Sequence, residues 1–318
     1  MAFKIYNPKP LAPEGEKILA DAGIEVIRSS GPTKEDLIRD IADVDAIVVW
    51  LSPNKIDKEV IDAAKNLKLI SRFGVGMEIV DVDYAQSKGI IVCNTPNSNS
   101  NSVAEHAMYL IMCCARNARF VDHQIHAGEF KSIYKTSAVE LEGSTLGIIG
   151  PGYIAGLLAK KAKYGFGMKV IAYNPHTGSK VPEDMERVAA LDELLERSDF
   201  VSIHAPATAE TTGMIGMEQL KKMKSSAYLI NTARGVIVKE DELALALKEK
   251  VIAGAGLDVF AVEPLPMDSP LREIESAVIT PHYAGFTKGA VVKTGIDVAE
   301  SIVAVSKGER PKYELRKK

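Results

Sequence analysis

Arg234, Glu263 and His282 are the residues of the second half of the chain whose types could do chemistry together. They stand in Asn231-Thr-Ala-Arg-Gly235, Val259-Phe-Ala-Val-Glu-Pro264 and Thr280-Pro-His-Tyr283. Each follows a short apolar run that reads as a strand, and in open parallel sheets the carboxyl ends of the strands form the ligand crevice. Singly, each has a plainer reading: an exposed turn arginine, a solvated loop acid, a helix-cap histidine. Together they meet one demand. Reduction of a 2-oxo acid needs a cation for the carboxylate and an acid to protonate the forming alkoxide. It also needs a carboxylate that keeps this acid protonated near neutral pH.

Such a set must be held by a sheet, and Gly143 to Gly152 marks where that sheet begins. The apolar run Leu146 to Ile149 ends in Gly150-Pro-Gly152-Tyr-Ile-Ala155, and from Tyr153 to Tyr164 apolar residues fall at helical spacing. In a strand, turn and helix of this kind the first glycine permits the tight turn and the second lets a pyrophosphate approach the backbone. The small Ala155 lets helix and strand pack closely. The free N–H groups at the helix start would face the phosphates. The next strand, Met168 to Tyr173, runs into Asn174-Pro175-His176, and Asn174 lies 24 residues beyond Gly150. A dinucleotide fold reads the ribose near that point, usually with an acid that repels a 2′-phosphate. Asn174 carries no charge, and His176 and Lys180 could attract a phosphate, so NAD and NADP both stay open.

The rest of the chain supplies two α/β domains, as 318 residues suggest. Apolar runs at Phe3 to Tyr6, Ile24 to Ile27, Ala46 to Leu51, Leu67 to Phe73 and Ile90 to Cys93 read as strands. Helical patterns at Pro13 to Ala22, Thr33 to Ala42 and Asp57 to Ala64 lie between them. That alternation implies βαβ units and a parallel sheet. Asn94 to Ser102 is a polar connector and reads as a boundary. Ser102 then caps one long helix, Val103 to about Ala127, apolar on more than one face and so expected to be covered by something beyond its own domain. A second βα series follows through strands at Phe200 to Ala205, Ala227 to Thr232, Gly254 to Val259 and Ala277 to Thr280, with helices at Leu191 to Arg197, Met217 to Met223 and Glu240 to Lys248. A last helical pattern runs from Val291 to Ser306. The expectation is a dinucleotide-binding domain, residues 101–284, inserted into a substrate domain made of residues 1–100 and 285–318.

With 46% hydrophobic and 25% charged residues the composition is that of an ordinary soluble protein. Lys and Arg total 39 against 42 acids, so neither nucleic acid nor an anionic membrane is called for. The N-terminus lacks a signal-peptide core and no apolar run is long enough to span a bilayer, which makes the cytoplasm the default. Cys93, Cys113 and Cys114 lack the paired spacing of a metal site and read as reduced packing residues.

Several motifs in order give the chain a resemblance that runs nearly end to end. They are Arg72-Phe-Gly-Val-Gly76, Asn94-Thr-Pro96, Ser102-Val-Ala-Glu-His106, Leu146 to Gly152, Val201-Ser-Ile-His204, Ile230 to Gly235, Gly256-Leu-Asp-Val-Phe260, Glu263-Pro264 and Thr280-Pro-His282. With these the chain resembles the D-isomer-specific 2-hydroxyacid dehydrogenase family, in the phosphoglycerate dehydrogenase-like branch. The resemblance implies a Rossmann domain inserted into a flavodoxin-like substrate domain. It implies an NAD(P)-dependent enzyme that moves hydride between nicotinamide and C2 of a small 2-oxo or 2-hydroxy acid, and a homodimer. It makes Arg234 the substrate-binding arginine, His282 the general acid or base, and Glu263 its partner. It gives the backbone of Val75 and Gly76 to the substrate carboxylate. The cofactor falls to Gly150, Gly152, Tyr153, Ile154, Asn174, Pro175, His204, Pro206 and Thr232, with Asp258 on the nicotinamide amide. No metal is implied.

Departures from the family pattern bear on specificity. Asn174 replaces the usual Asp, Glu78-Ile79 a common Asp-Asn pair, and Asn97 a common Gly. Trp50 stands where phosphoglycerate dehydrogenases usually carry a phosphate-binding arginine, and an indole cannot neutralise phosphate. Side chains at Trp50, Met77 and Tyr283 should therefore set the substrate. Two alternatives stay open on this fold: a nicotinamide-sensing, corepressor-like binding protein, and a phosphite-type dehydrogenase.

Overall fold

A computed structural model of the chain describes residues 2–50, 54–134, 136–174 and 181–316, without the side chains of Ser132 and Ile133. The chain divides into two compact units, Met1–Asn99 with Phe286–Lys318, and Ser100–Gly285.

The smaller unit is built on five parallel strands, β1 (Lys4–Tyr6), β2 (Glu25–Ile27), β3 (Ala46–Val49), β4 (Leu69–Arg72) and β5 (Ile91–Cys93), in the order β2-β1-β3-β4-β5. This is the doubly wound order of flavodoxin-like folds, with a switch point between β1 and β3. Both faces of the sheet are covered, so β3 and β4 are buried at every residue, and β3, Ala-Ile-Val-Val, is a continuous apolar run where a half-exposed strand would alternate. The Lys34–Ile41 helix opens with a capping box: Thr33 Oγ1 accepts from the Asp36 N–H, and Asp36 Oδ2 from the Thr33 N–H. The Lys288–Ser306 helix returns to this unit and buries Val298, Ala299, Ile302 and Val305 in the core that also holds Ile5, Leu19, Val48 and Leu69. It crosses the Pro13–Asp21 helix so closely that a Cβ at Gly15 would stand 2.9 Å from the carbonyl oxygen of Gly295.

The larger unit carries seven parallel strands, β6 (Thr145–Ile149), β7 (Lys169–Tyr173), β8 (Glu186–Val188), β9 (Phe200–Ile203), β10 (Tyr228–Asn231), β11 (Gly254–Leu257) and β12 (Ala277–Ile279). Their order is β12-β11-β10-β9-β6-β7-β8. Counted within the unit this is the Rossmann order 3-2-1-4-5-6 with a seventh strand added, and its switch point lies between β6 and β9.

Four elements differ from expectation. The long helix is two, Ser100–Ala115 and Ala118–His126, broken at Asn117, whose φ of 49° is left-handed. Asparagine tolerates that conformation, and its Nδ2 donates to Thr136 Oγ1 and to the Ser137 carbonyl. Because the first helix starts at Ser100, Ser102 lies inside it and is not its cap. Ala104, Ala107, Leu110 and Ile111 of this helix are buried in the core with β6, β10 and the Tyr153–Lys160 helix, while Tyr109 and Met112 lie on the surface of the unit. The Tyr153–Lys160 helix widens into a π turn over Lys161–Gly165, so the helical pattern read to Tyr164 is not one uniform helix. Strand β8 and the Val82–Ser87 helix have no counterpart among the expected elements. No helix among the described residues is long and apolar enough to cross a membrane, and all three cysteines are free.

Candidate active site

In the larger unit the switch point is shaped by Gly150. Its φ is +85°, and a Cβ there would meet the Ala205 backbone at 2.7 Å, so glycine alone lets the β6 turn lie against the end of β9. Gly152 is the N-cap of the next helix, and a Cβ added to it would meet nothing within 4 Å among the described residues. No side chain caps this helix, and the N–H groups of Tyr153, Ile154 and Ala155 find no acceptor among the described residues. An uncapped helix start under open space suits a pyrophosphate. The hydroxyl of Thr232, just past β10, is buried without a partner among the described residues, which also suits a polar ligand. His204 donates its backbone N–H to the Ile149 carbonyl, and its Nε2 lies 2.9 Å from Ser202 Oγ. Burial pushes the ring down to about 4, so it is neutral at physiological pH. Pro206 follows β9 on the surface, and its carbonyl accepts from Thr211 Oγ1. Asn174 is half-buried at the end of β7, and Pro175 lies outside the described residues, as do His176 and Lys180.

Next along the sheet, Asn231 closes the turn after β10: its Oδ1 accepts from the Ala233 N–H and its Nδ2 donates to the Arg234 carbonyl. Gly235 packs directly on the Phe260 and Ala261 backbone, where a Cβ would overlap Phe260 C at 1.9 Å. That fixes the segment carrying Arg234, whose Nη1 donates to the Ala233 carbonyl. Glu263 uses both carboxylate oxygens. Oε1 accepts from the Phe260 N–H at 3.0 Å, and Oε2 lies 2.7 Å from His282 Nδ1. Burial alone would raise this carboxyl, but the His282 ring and the Phe260 N–H outweigh it and hold it below its ordinary value. Glu263 is therefore ionised at neutral pH, and its bond to Nδ1 leaves Nε2 of His282 as the nitrogen that can give or take a proton.

His282 itself has a left-handed backbone, φ +53°. Asp258, with no exposed surface, builds the turn that holds it. Asp258 Oδ1 accepts from Thr280 Oγ1 and the Tyr283 N–H, and Oδ2 from the Ala284 N–H. Nε2 of His106 sits 2.9 Å from Thr280 Oγ1 and 3.4 Å from Asp258 Oδ1. Burial would raise the Asp258 carboxyl, yet His106, Thr280 and the two N–H groups together lower it. The carboxylate that the resemblance gives to the nicotinamide amide is thus bonded to its own chain. His106 and Thr280 stood in the sequence motifs, but nothing in the sequence shows that they meet.

In the smaller unit, Trp50 follows β3 and stacks on Phe73 with ring centroids 3.9 Å apart. Its indole N–H donates to Asn7 Oδ1 at 2.9 Å. Beyond β4, the N–H groups of Val75 and Gly76 have no acceptor among the described residues.

A model of the D-isomer specific 2-hydroxyacid dehydrogenase, NAD binding domain, matches residues 108–284, more than half of the chain. The chain belongs to this family. Similarity to individual members extends beyond that domain. The chain is 39% identical to D-3-phosphoglycerate dehydrogenase of Archaeoglobus fulgidus over 307 residues, 96% of this chain and 58% of that protein. It is 39% identical to glyoxylate reductase of Thermofilum pendens over 316 residues, 97% of this chain and 93% of that protein. The crystal structure of TT0316 protein from Thermus thermophilus superposes with a TM-score of 0.92 at 31% identity, covering 99% of this chain and 100% of that one. The chain therefore spans little more than half the length of the phosphoglycerate dehydrogenases that it matches. What the D-2-hydroxyacid dehydrogenase family shares with this chain is the fold and, in the larger unit, a domain described as NAD-binding.

Proposed function

We propose that the chain is an NAD(P)-dependent D-2-hydroxyacid dehydrogenase, reducing a small 2-oxo acid to the D-2-hydroxy acid or running the reverse. The observation that carries this reading is the 2.7 Å pair of His282 Nδ1 and Glu263 Oε2 at the carboxyl end of the Rossmann sheet. When bound, the dinucleotide supplies or takes up hydride at nicotinamide C4. The chain does the rest. The uncapped helix start at Gly152, Tyr153 and Ile154 holds the pyrophosphate, Asn174 lies at the ribose, and Thr232 offers its hydroxyl to the nicotinamide end. Arg234 is the substrate-binding arginine, and in the smaller unit the Val75 and Gly76 N–H groups take the substrate carboxylate. His282 delivers a proton from Nε2 to the oxygen at C2, and ionised Glu263 stabilises the charged ring and fixes its orientation.

Trp50, with its N–H spent on Asn7 and its face on Phe73, favours a substrate with a short uncharged substituent over a phosphorylated one. A homodimer fits the exposed apolar side chains of Tyr109, Ile125, Phe130 and Tyr134, and the Ala118–His126 helix, which buries none of its residues. The cytoplasm is the compartment proposed, on the same composition and free thiols.

The test is initial-rate absorbance at 340 nm with NADH or NADPH against glyoxylate, hydroxypyruvate, pyruvate, longer 2-oxo acids and 3-phosphohydroxypyruvate. Turnover of glyoxylate or pyruvate, with the phosphorylated acid poor, is the expected result. Tight NADH binding with no oxo acid turned over would overturn the reading and favour the sensing protein or phosphite oxidation.

A further inference from the structure

We infer that Asn94 and Thr95, with Arg72, are positioning residues that aim the Val75 and Gly76 N–H groups outward as a preformed anion-binding pair; this rests on the reading above that the pair takes the substrate carboxylate.

The loop after β4 has its carbonyls drawn to one side. Arg72 Nη1 donates to the Phe73 carbonyl at 2.9 Å, and Arg72 Nε to the Gly76 carbonyl at 3.0 Å. The Thr95 N–H donates to the Gly74 carbonyl at 3.0 Å, and Asn94 Nδ2 to the Val75 carbonyl at 2.9 Å. In addition, Thr95 Oγ1 accepts the Gly74 N–H at 3.0 Å, and Arg72 Nη1 reaches the Val49 carbonyl of β3 at 2.8 Å. A trans peptide points its C=O and its N–H in opposite directions. The bond from Thr95 to the Gly74 carbonyl therefore directs the Val75 N–H away from β5, and the bond from Asn94 to the Val75 carbonyl does the same for the Gly76 N–H. Successive N–H groups directed this way form a concave anion site. Gly74, at φ +129°, supplies the backbone conformation the loop requires. Arg72, Asn94 and Thr95 are all buried, while Val75 is exposed, so the clamp lies inside the unit and the free donors face out.

The sequence contains one tryptophan, and it stacks on Phe73 of this loop, so its fluorescence reports occupancy of the site. Three variants separate position from packing. Asn94→Asp keeps the size of the side chain and removes the donor, Thr95→Val removes the acceptor, and Thr95→Ser retains it. Five quantities are measured for each: KM and kcat with glyoxylate, oxamate affinity from Trp50 quenching at saturating NADH, NADH affinity from nicotinamide fluorescence, and Tm. Asn94→Asp and Thr95→Val should raise KM and weaken oxamate by about tenfold or more, with kcat and NADH affinity within about twofold and Thr95→Ser close to wild type. Unchanged KM and oxamate affinity in both disruptive variants would overturn the positioning role, as would equal loss of NADH binding. A wild-type protein that neither binds oxamate nor turns over any 2-oxo acid would overturn the proposed function as well.

Discussion

The His282 backbone N–H donates to the Asp258 carbonyl oxygen at 2.7 Å, so the backbone of the histidine is fixed by a residue distinct from the Glu263 that holds its ring. Position and protonation of His282 are assigned to different acids. Asp258 shapes the turn with its carbonyl and carboxylate, and Glu263 meets the imidazole.

His282→Ala should lower kcat for 2-oxo acid reduction by about 10²–10⁴ with little change in NADH affinity. Glu263→Gln should retain turnover at low pH and lose it at a lower pH than wild type, because a neutral amide no longer favours the imidazolium. Steady-state rates from pH 5 to 9 decide both, and wild-type turnover by His282→Ala would contradict the assignment.

Acid should weaken the larger unit through Asp258 and Glu263. Their carboxyls are held below ordinary values of 3.8 and 4.5. A carboxyl depressed by folding stabilises above its unfolded pKa, and that contribution is lost as pH falls through the folded pKa. Urea midpoints should therefore fall between about pH 5 and pH 3. Asp258→Asn should be less stable than wild type at pH 7 and lose less on acidification; a parallel acid loss in the two proteins would show that Asp258 contributes nothing to it.

Gly150→Ala should cost about 1–3 kcal/mol of stability and abolish NADH binding, since the new methyl would meet the Ala205 backbone at 2.7 Å in a left-handed conformation. Gly152→Ala, whose Cβ meets no atom of the described residues, should fold normally and lose cofactor affinity alone. Thermal melts with and without NADH separate the two outcomes.

Light scattering should give a mass near twice the 34.4 kDa of one chain. Combining Phe130→Glu with Tyr134→Glu should yield monomers, because these side chains are 76% and 83% exposed and belong to the apolar surface proposed for a second copy. A dimer that survives both changes would place its interface elsewhere.

Much of this architecture was legible because parallel strands covered on both faces are rich in apolar runs, as in Ala46–Val49 and residues 228–230. Strand β8 was not: Glu186-Arg-Val188 has one apolar residue and sits at the sheet edge, where half its surface meets water. The Val82–Ser87 helix is too short for a period to emerge. The helix break at Asn117 had a local signal in the asparagine, outweighed by the apolar residues on both sides. Arg234, Glu263 and His282 stood out because strand ends concentrate polar side chains. The clamp on Val75 and Gly76 did not, since it joins backbone carbonyls after β4 to side chains after β5, and no spacing within either segment encodes that meeting.

The crossing of Gly15 and Gly295 also bears on the order of synthesis. The first helix of the smaller unit waits for a helix made only after residues 100–285, which themselves emerge as an uninterrupted stretch. On the ribosome the larger unit can therefore finish folding first, leaving the apolar side of the Pro13–Asp21 helix open to chaperones until the Lys288–Ser306 helix arrives.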